Sequence, residues 1–436
     1  MPELIDSLKN LVHSENFCSR HKHDPNDFSR TRILPFHELV FFLMNMNNKS
    51  YKDELDRYFQ AINHLEAPER VVFKGSLSKA RAKLSFEAFI ELNDHMVQYF
   101  YDLFQPQTWF GFNLLAIDGT TLRLPNEYQI ANYFGVWKST KGDKPCPKAR
   151  ASQMFDVLNK ITVDAIISPK SEGERELAAF HFLKLQPQDL ILLDRGYPAF
   201  WLFQLALSMG TNFCAQIPYK RWRVGKKFYL SGKKEQIVRI EPSPESIRRC
   251  NEMGLDKKPI KVRMLRIELD TGETEILITS LTDMKKFPCD LFPELYHLRW
   301  PVEEDYKTIK YRLEVENFSG KSVLSVHQDF HAKLFSKNLV AAIASTTKKQ
   351  LIKKSENLKF LHQINFAQAL SKMKNTIVLL FNRSLTEAGI LVEKMRNIFI
   401  QTTSHLKKDE VESWSIQAGP YQGNCRHDIH IEPQSA

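Results

Sequence analysis

Apolar positions follow two rhythms along the chain, and the change from one to the other divides it. From Ile33 to about Phe104 they recur every three or four residues, as in SYKDELDRYFQAI and SFEAFIELNDHMVQYFYDLF. That spacing predicts helices with one buried face. Ser85 precedes the second run as an N-cap, with Glu87 in the first turn, where orphan amides and the helix dipole favour both. Residues 72–84, VFKGSLSKARAKL, set basic side chains beside a short helix. This suits a helix-turn-helix-like module and a helical packing unit equally. From Leu114 the apolar runs shorten and become β-rich: LLAID, SQMFDVLN, KITVDAIIS, DLILLD and NFCAQIP, with helical stretches at Glu174–Leu185 and Ala199–Met209. Adjacent strands followed by alternating helix and strand predict an α/β sheet with mixed strand directions. Lys226 to Ser280 breaks that rhythm with basic, strand-like sequence in which DTG marks a hairpin. After Asp290 helix is expected again nearly to Thr403, before a poorly ordered tail.

Composition narrows the class. At 436 residues the chain is about three times the ~150 residues typical of one domain, so two to four units are expected. A hydrophobic fraction of 43% with 26% charged residues excludes disordered, collagen-like and disulfide-scaffold chains. The longest apolar stretch, Ile33 to Met46, carries His37 and Glu38 and falls short of the ~18 apolar residues of a spanning helix. The N-terminus has no basic-then-apolar signal pattern, so neither membrane insertion nor secretion is expected. Cys18, Cys146, Cys214, Cys250, Cys289 and Cys425 lie far apart with no CxxC. They read as reduced cytosolic thiols and not as a metal site.

Charge is unevenly placed. The net is +10, yet residues 1–105 hold 13 Lys and Arg against 15 Asp and Glu. Tyr219 to Arg263 holds 14 basic and 5 acidic residues, and Trp137 to Arg150 adds five cations against one Asp. Two such runs are the footprint of a polyanion partner, and no amphipathic basic helix or lipidation motif directs them to a membrane.

Three carboxylate positions carry the candidate chemistry. Asp118 ends LLAID and Asp194 ends LILLD, each followed by Gly within two positions. Carboxyl ends of buried strands are where α/β sheets place ligands, and paired carboxylates suit a hard cation such as Mg²⁺. The third element is YHLRWPVEEDYKTIK, in which Tyr296, Arg299, Glu303 and Lys310 have offsets of 0, 3, 7 and 14 residues. On a continuous helix all four share a face within about 60°. If the helix instead starts at Pro301, only Glu303 and Lys310 keep a common face. An exposed salt-bridged helix fits the segment equally, with Glu304 and Asp305 as solvated charges.

Together these residues resemble the DDE transposases of the IS-four family of bacterial insertion sequences. That family is marked by Y-x2-R-x3-E-x6-K, matched here by Tyr296, Arg299, Glu303 and Lys310. LLAIDGTTLRLP, LLDRGYPAF and ARAKLSFEAF are also similar to family segments, so the likeness spans roughly residues 30–345. It implies an α/β fold: a ribonuclease-H-like catalytic core with a β-rich insertion, flanked by N- and C-terminal helical regions. The expected units are a helical DNA-binding pre-domain at 1–105, a core at 106–218 and 286–345, a basic insertion at 219–285, and a helical C-terminal region at 346–436. The resemblance further implies that Asp118, Asp194 and Glu303 are catalytic and ligate two Mg²⁺ ions, with Mn²⁺ able to substitute. Tyr296, Arg299 and Lys310 would hold DNA phosphates, with Arg195 a weaker candidate. The activity implied is cleavage of double-stranded DNA at element ends and joining of the 3′-OH ends to target DNA. It would be carried out by a cytoplasmic, nucleoid-associated homodimer. A non-catalytic DNA-binding derivative and a metal-dependent nuclease without strand transfer are the alternatives. One departure stands out: TEILITS (Thr274 to Ser280) lacks the aromatic residue that family members using a hairpin route place there. That leaves Trp222 or Trp300 as substitutes. The stretch Phe335 to Lys354 suits dimerisation and intrachain packing equally.

Overall fold

A computed structural model describes the chain except for residues 31–32, 138–143, 270, 356–359, 408–415 and 419–436. Most of the expected tail, the Asp of the DTG turn and six residues of the second basic run therefore lie outside the described residues. Six helices come first: α1 (Pro2–His13), α2 (Glu15–Arg20), α3 (Phe36–Leu43), α4 (Tyr51–Asn63), α5 (Lys74–Arg81) and α6 (Glu87–Leu103). Ser50 caps α4 by accepting from Asp53 N. Ser85 acts one residue earlier than expected: Phe86 takes the N-cap position, and Ser85 Oγ accepts from Glu87 N at 3.3 Å.

The sheet follows as β1 (Gln107–Trp109), β2 (Asn113–Arg123), α7 (Tyr128–Phe134), β3 (Val136–Trp137), β4 (Cys146–Asp156), β5 (Ile161–Ser168), α8 (Glu174–Phe182), β6 (Asp189–Leu193), α9 (Phe200–Ser208) and β7 (Asn212–Gln216). It continues through α10 (Arg223–Leu230), β8 (Glu235–Ile240), α11 (Pro244–Glu252), β9 (Ile260–Glu268) and β10 (Thr274–Thr279). The spatial order is β3-β4-β2-β6-β7-β10-β9-β8, with β5 also on β4. β4 runs antiparallel to both of its neighbours β2 and β5, while β6 and β7 run parallel to β2. The basic segment therefore extends the main sheet through β10 on β7, and two helices interrupt its strands. α11 starts where Ser243 caps and Pro244 occupies the first turn, a helix-start signal that outweighed the strand-like composition around it.

Both faces of the sheet are covered, which is why its central strands are apolar throughout. Leu115, Ile117, Ile191, Leu193, Phe213 and Ala215 join a large core shared with the helices. Their alternates Leu114, Ala116, Leu190, Leu192 and Cys214 join a smaller core with Phe287, Phe292, Leu295, Leu298 and Val302. The chain then forms α12 (Phe292–His297), α13 (Pro301–Tyr311), α14 (Val323–Ser345), α15 (Lys348–Ser355), β11 (Phe360–Ile364), α16 (Phe366–Met373), α17 (Thr376–Asn382), α18 (Leu385–Gln401), β12 (Thr403–Lys407) and β13 (Ile416–Ala418). The helical run expected to Thr403 is thus broken by β11, which pairs with β12 across the three intervening helices α16, α17 and α18. No local periodicity reveals such a pairing.

α14 runs through the interior, and Ser325 to Ala344 are buried on every side. Most of its polar residues are matched individually, His327 Nδ1 being an exception. Arg81 of α5 pairs with Asp329 at 2.9 Å, and Lys337 Nζ donates to Asp305 at 2.6 Å. Asn338 Nδ2 donates to Asn93 at 2.7 Å. Of the two readings of the stretch beginning at Phe335, its α14 portion serves intrachain packing, because a helix enclosed on all sides offers no outer face.

Candidate active site

The site is opened by a mismatch in strand length. β2 is eleven residues long and does not end at Asp118, its sixth residue. β6 pairs with β2 only as far as Leu193 opposite Ile117. Beyond that point β2 continues against β4 alone, with Asp118 opposite Gln153. Asp118 therefore lies where the sheet loses its neighbour on one side, and Asp194 is the first residue after that neighbour ends.

The third carboxylate arrives on α13. This helix starts at Pro301, yet Leu298 and Trp300 keep helical dihedrals, so the run from α12 is nearly continuous. Val302 packs in the smaller core and Tyr306 and Ile309 in the larger one. α13 thus crosses from one face of the sheet to the other, with Glu303 at the crossing. Tyr306 Oη fixes that crossing by donating to the Asp118 carbonyl at 2.8 Å. Asp118, Asp194, Glu303 and Lys310 line one cleft of about 460 Å³ with Gly119, Thr120, Tyr306, Lys307 and Tyr311.

Electrostatics mark the cleft. Burial pushes the Asp118 carboxyl up to about 6; Glu303 and Asp194 add to this, against the Gly119 amide and Arg299. Asp194 Oδ1 accepts from Gly196 N. Glu303 Oε1 accepts from Arg299 Nη2 at 2.7 Å. The remaining guanidinium nitrogens of Arg299, Nε and Nη1, are buried without a hydrogen-bond partner in the structure. Burial lowers the Lys310 ammonium, with nearby Lys148 acting in the same direction, while its Nζ donates to Thr120 Oγ1 at 2.8 Å. Tyr296 Oη donates to Gln216 Oε1 at 3.4 Å, and its ring lies under the Arg299 guanidinium at 5.8 Å.

Chemically the donor set fits a hard divalent cation, since all three acids offer carboxylate oxygens. Among the described residues, however, no group of three or more His, Cys, Asp and Glu side chains is gathered closely enough to hold a metal. The reason is visible in the contacts: Glu303 is turned to Arg299 and Asp194 to the Gly196 amide.

The seven singled-out residues divide in the folded chain. Asp118, Asp194, Glu303 and Lys310 line the cleft. Tyr296 and Arg299 do not line it, though Arg299 touches Glu303, and Arg195 is exposed outside it. Asp305, read as solvated, is buried on Lys337, whereas Glu304 is exposed and pairs with Lys307 at 2.6 Å. Tyr306 was missed, although its place three residues after Glu303 puts it on the same helix face. Tyr197 was also missed: it is buried beside Asp118 and Asp194, in the RGYP segment after the second Asp. Trp222 is partly buried with its ring 6.1 Å from Phe203. Trp300 is 51% exposed and so stands outside the core.

A cleft of three acids from separated segments of an α/β fold, closed by a helix that also brings Lys307 and Lys310 to its lining, defines the class of site. The Transposase DDE domain family matches residues 109–339. This is more than half of the chain, and the protein belongs to that family. It is 24% identical over 376 residues to the transposase InsG for insertion sequence element IS4 of Escherichia coli (strain K12), covering 85% of this chain and 81% of that protein. The IS-four resemblance is thereby upheld. A cryo-EM structure of a piggyBac transposase synaptic complex with hairpin DNA is similar at a TM-score of 0.42 and 10% identity, over 91% of this chain and 84% of that one. Among the described residues no helix is long and apolar enough to cross a membrane.

Proposed function

We propose that the protein cuts double-stranded DNA at the ends of an insertion sequence and joins the freed 3′-OH ends to target DNA. Asp118, Asp194 and Glu303 are its catalytic residues. The observation that carries this reading is the meeting of these three acids, from the middle of β2, the end of β6 and a late helix, in one cleft. The strand order β5-β4-β2-β6-β7, antiparallel in its first half and parallel in its second, supports a ribonuclease-H-like core at 106–218 and 286–345. Residues 1–105, 219–285 and 346–436 are then the flanking and inserted units.

In the first step water attacks the phosphorus at the element end and the bond to the 3′ oxygen breaks, leaving a 3′-OH and a 5′-phosphate. In the second that hydroxyl attacks a target phosphorus and displaces another 3′ oxygen. Asp118, Asp194 and Glu303 would hold two divalent cations, Mg²⁺ or Mn²⁺ in its place, which supply charge stabilisation for the attacking and leaving oxygens. Glu303 must first leave Arg299, and this frees a guanidinium already lacking partners for Nε and Nη1. Arg299, with Tyr296 and Lys310, then grips phosphate through charge-assisted hydrogen bonds. Of Trp222 and Trp300, Trp300 is the more exposed and the one available to a displaced base. Two ends held together imply a homodimer, and the setting is the bacterial nucleoid.

The test uses DNA flanking the gene. Wild type and Glu303→Gln are compared for excision and strand joining with and without Mg²⁺. Metal-dependent excision should fall in the variant by more than the roughly 100-fold that outer-shell partners of a metal are worth. Equal binding with no cutting by either protein points to a binding derivative, and cutting without joining points to a nuclease.

A further inference from the structure

The fourteen cations between Tyr219 and Arg263 are not equivalent once folded. Several in the later part are neutralised within the chain. Lys234 pairs with Asp290 at 2.8 Å, Arg249 with Glu176 at 2.8 Å, Arg248 with Glu252 at 3.8 Å and Lys258 with Asp256 at 3.5 Å. Arg263 is buried against Glu235. At the start of the run the situation reverses. Lys220, Arg221, Arg223, Lys226 and Lys227 are all exposed, and none forms an ion pair among the described residues.

Three of these define one face of α10. Arg223, Lys226 and Lys227 stand at i, i+3 and i+4, where like charges repel and destabilise a helix by a few tenths of a kcal/mol. The opposite side carries buried Gly225 and Phe228. A Cβ on Gly225 would stand 3.0 Å from both Tyr219 Cα and Ile217 Cδ1. Glycine therefore lets α10 press directly onto the chain leaving β7, which holds the cationic face outward. β7 is the parallel neighbour of β6, the strand that delivers Asp194, and its last residue, Gln216, contacts Tyr296. The unneutralised face thus follows the carboxyl end of the strand beside the cleft.

We propose that Arg223, Lys226 and Lys227, extended by Lys220 and Arg221, form a docking surface for the sugar-phosphate backbone of duplex DNA entering the cleft. The identity of the polyanion rests on the function proposed above. Contacts to the sugar-phosphate backbone carry no sequence information, so a face docked there holds DNA without regard to sequence.

The test compares full-length wild type with Arg223→Gln/Lys226→Gln/Lys227→Gln. The control, Lys234→Gln/Arg248→Gln/Lys258→Gln, loses the same charge from ion-paired positions in the later part of the run. Binding is measured without divalent metal, at several salt concentrations, to a duplex of gene-flanking DNA and to an unrelated duplex. Each lost phosphate contact lowers the slope of log affinity against log salt by about 0.9, so the α10 triple should lose about 2.7 on both duplexes and the control less than 1. Single Lys226→Gln should lose about 0.9, which guards against misfolding of the triple. A wild-type slope in the α10 triple, or equal losses in both triples, would overturn the proposal. So would a larger loss on phosphatidylserine vesicles than on DNA, which assigns the face to membrane. Protein that binds normally but never cuts refutes the catalytic reading while the slopes still judge α10. Failure of wild type to bind either duplex refutes both.

Discussion

Two regions a few residues apart treat buried carboxylates in opposite ways. Along α14 each acid has a cation of its own. Asp305 is held by Lys337 and also accepts from Gln153 Nε2 at 3.2 Å. Burial alone would raise Asp164, but Lys184 at 3.0 Å and His181 at 2.6 Å hold it well below the usual carboxylate range. In the cleft, Asp118 is also pushed up by burial and has acids for neighbours, with the nearest guanidinium already committed to Glu303. The same fold that neutralises its interior leaves its cleft short of positive charge. A low dielectric makes both choices costly to reverse. The seam is rigid because its pairs are complete, and the cleft is receptive because its own are not.

The comparison breaks most sharply at Lys337. Lys337→Met strands Asp305 as an unpaired buried charge, and urea unfolding should show a loss of about 3–5 kcal/mol. Lys337→Met with Asp305→Leu should recover most of it, since apolar replacement of a whole buried pair is often neutral or better. Single-turnover excision sharpens the point. The double variant should remain slow although stable, because α13 loses its tie to Gln153 of β4; wild-type excision would reduce the seam to stability alone.

A smaller effect of opposite sign is expected in the cleft. Burial raises the folded Asp118 carboxyl to about 6, against an ordinary value of 3.8 in the unfolded chain. The folded state therefore binds more protons between these values, and stability falls as pH rises from about 4 to about 6. Asp164, with a depressed folded pKa, contributes stability that is present above its unfolded value and lost as pH falls below it. Asp118→Asn, in chelator at pH 7, should gain about 2 kcal/mol after discounting for partial exposure. Asp156 shares the upward shift by burial, so the difference curve between wild type and variant is the readout. Mg²⁺ at ten times its Kd should stabilise wild type by about 1.4 kcal/mol and leave Asp118→Asn unmoved. The smallest effect belongs to the surface. Lys234 and Asp290 are both largely exposed, and Lys234→Ala should unfold at the wild-type midpoint, because solvent screens such pairs.

The residue pattern alone made most of the sheet legible. LLAID, DLILLD and NFCAQIP became central strands because an apolar run bounded by turns and covered on both faces can hardly do otherwise. Four spaced residues, Tyr296, Arg299, Glu303 and Lys310, marked the helix that closes the site. α10, α11 and β11 were not legible, since short amphipathic pieces and a strand whose partner lies far along the chain leave no local period to read.

What the sequence by itself determined was which residue types stand at strand ends and on which helix face, because backbone geometry turns spacing into direction. Only the tertiary structure decided which charges meet. Spacing could not tell Glu304, in solvent, from Asp305, buried on Lys337. Nor could it tell the free cations of α10 from the paired ones beyond it. Neutralisation depends on distances between segments far apart in sequence, and those distances exist only once the chain has packed.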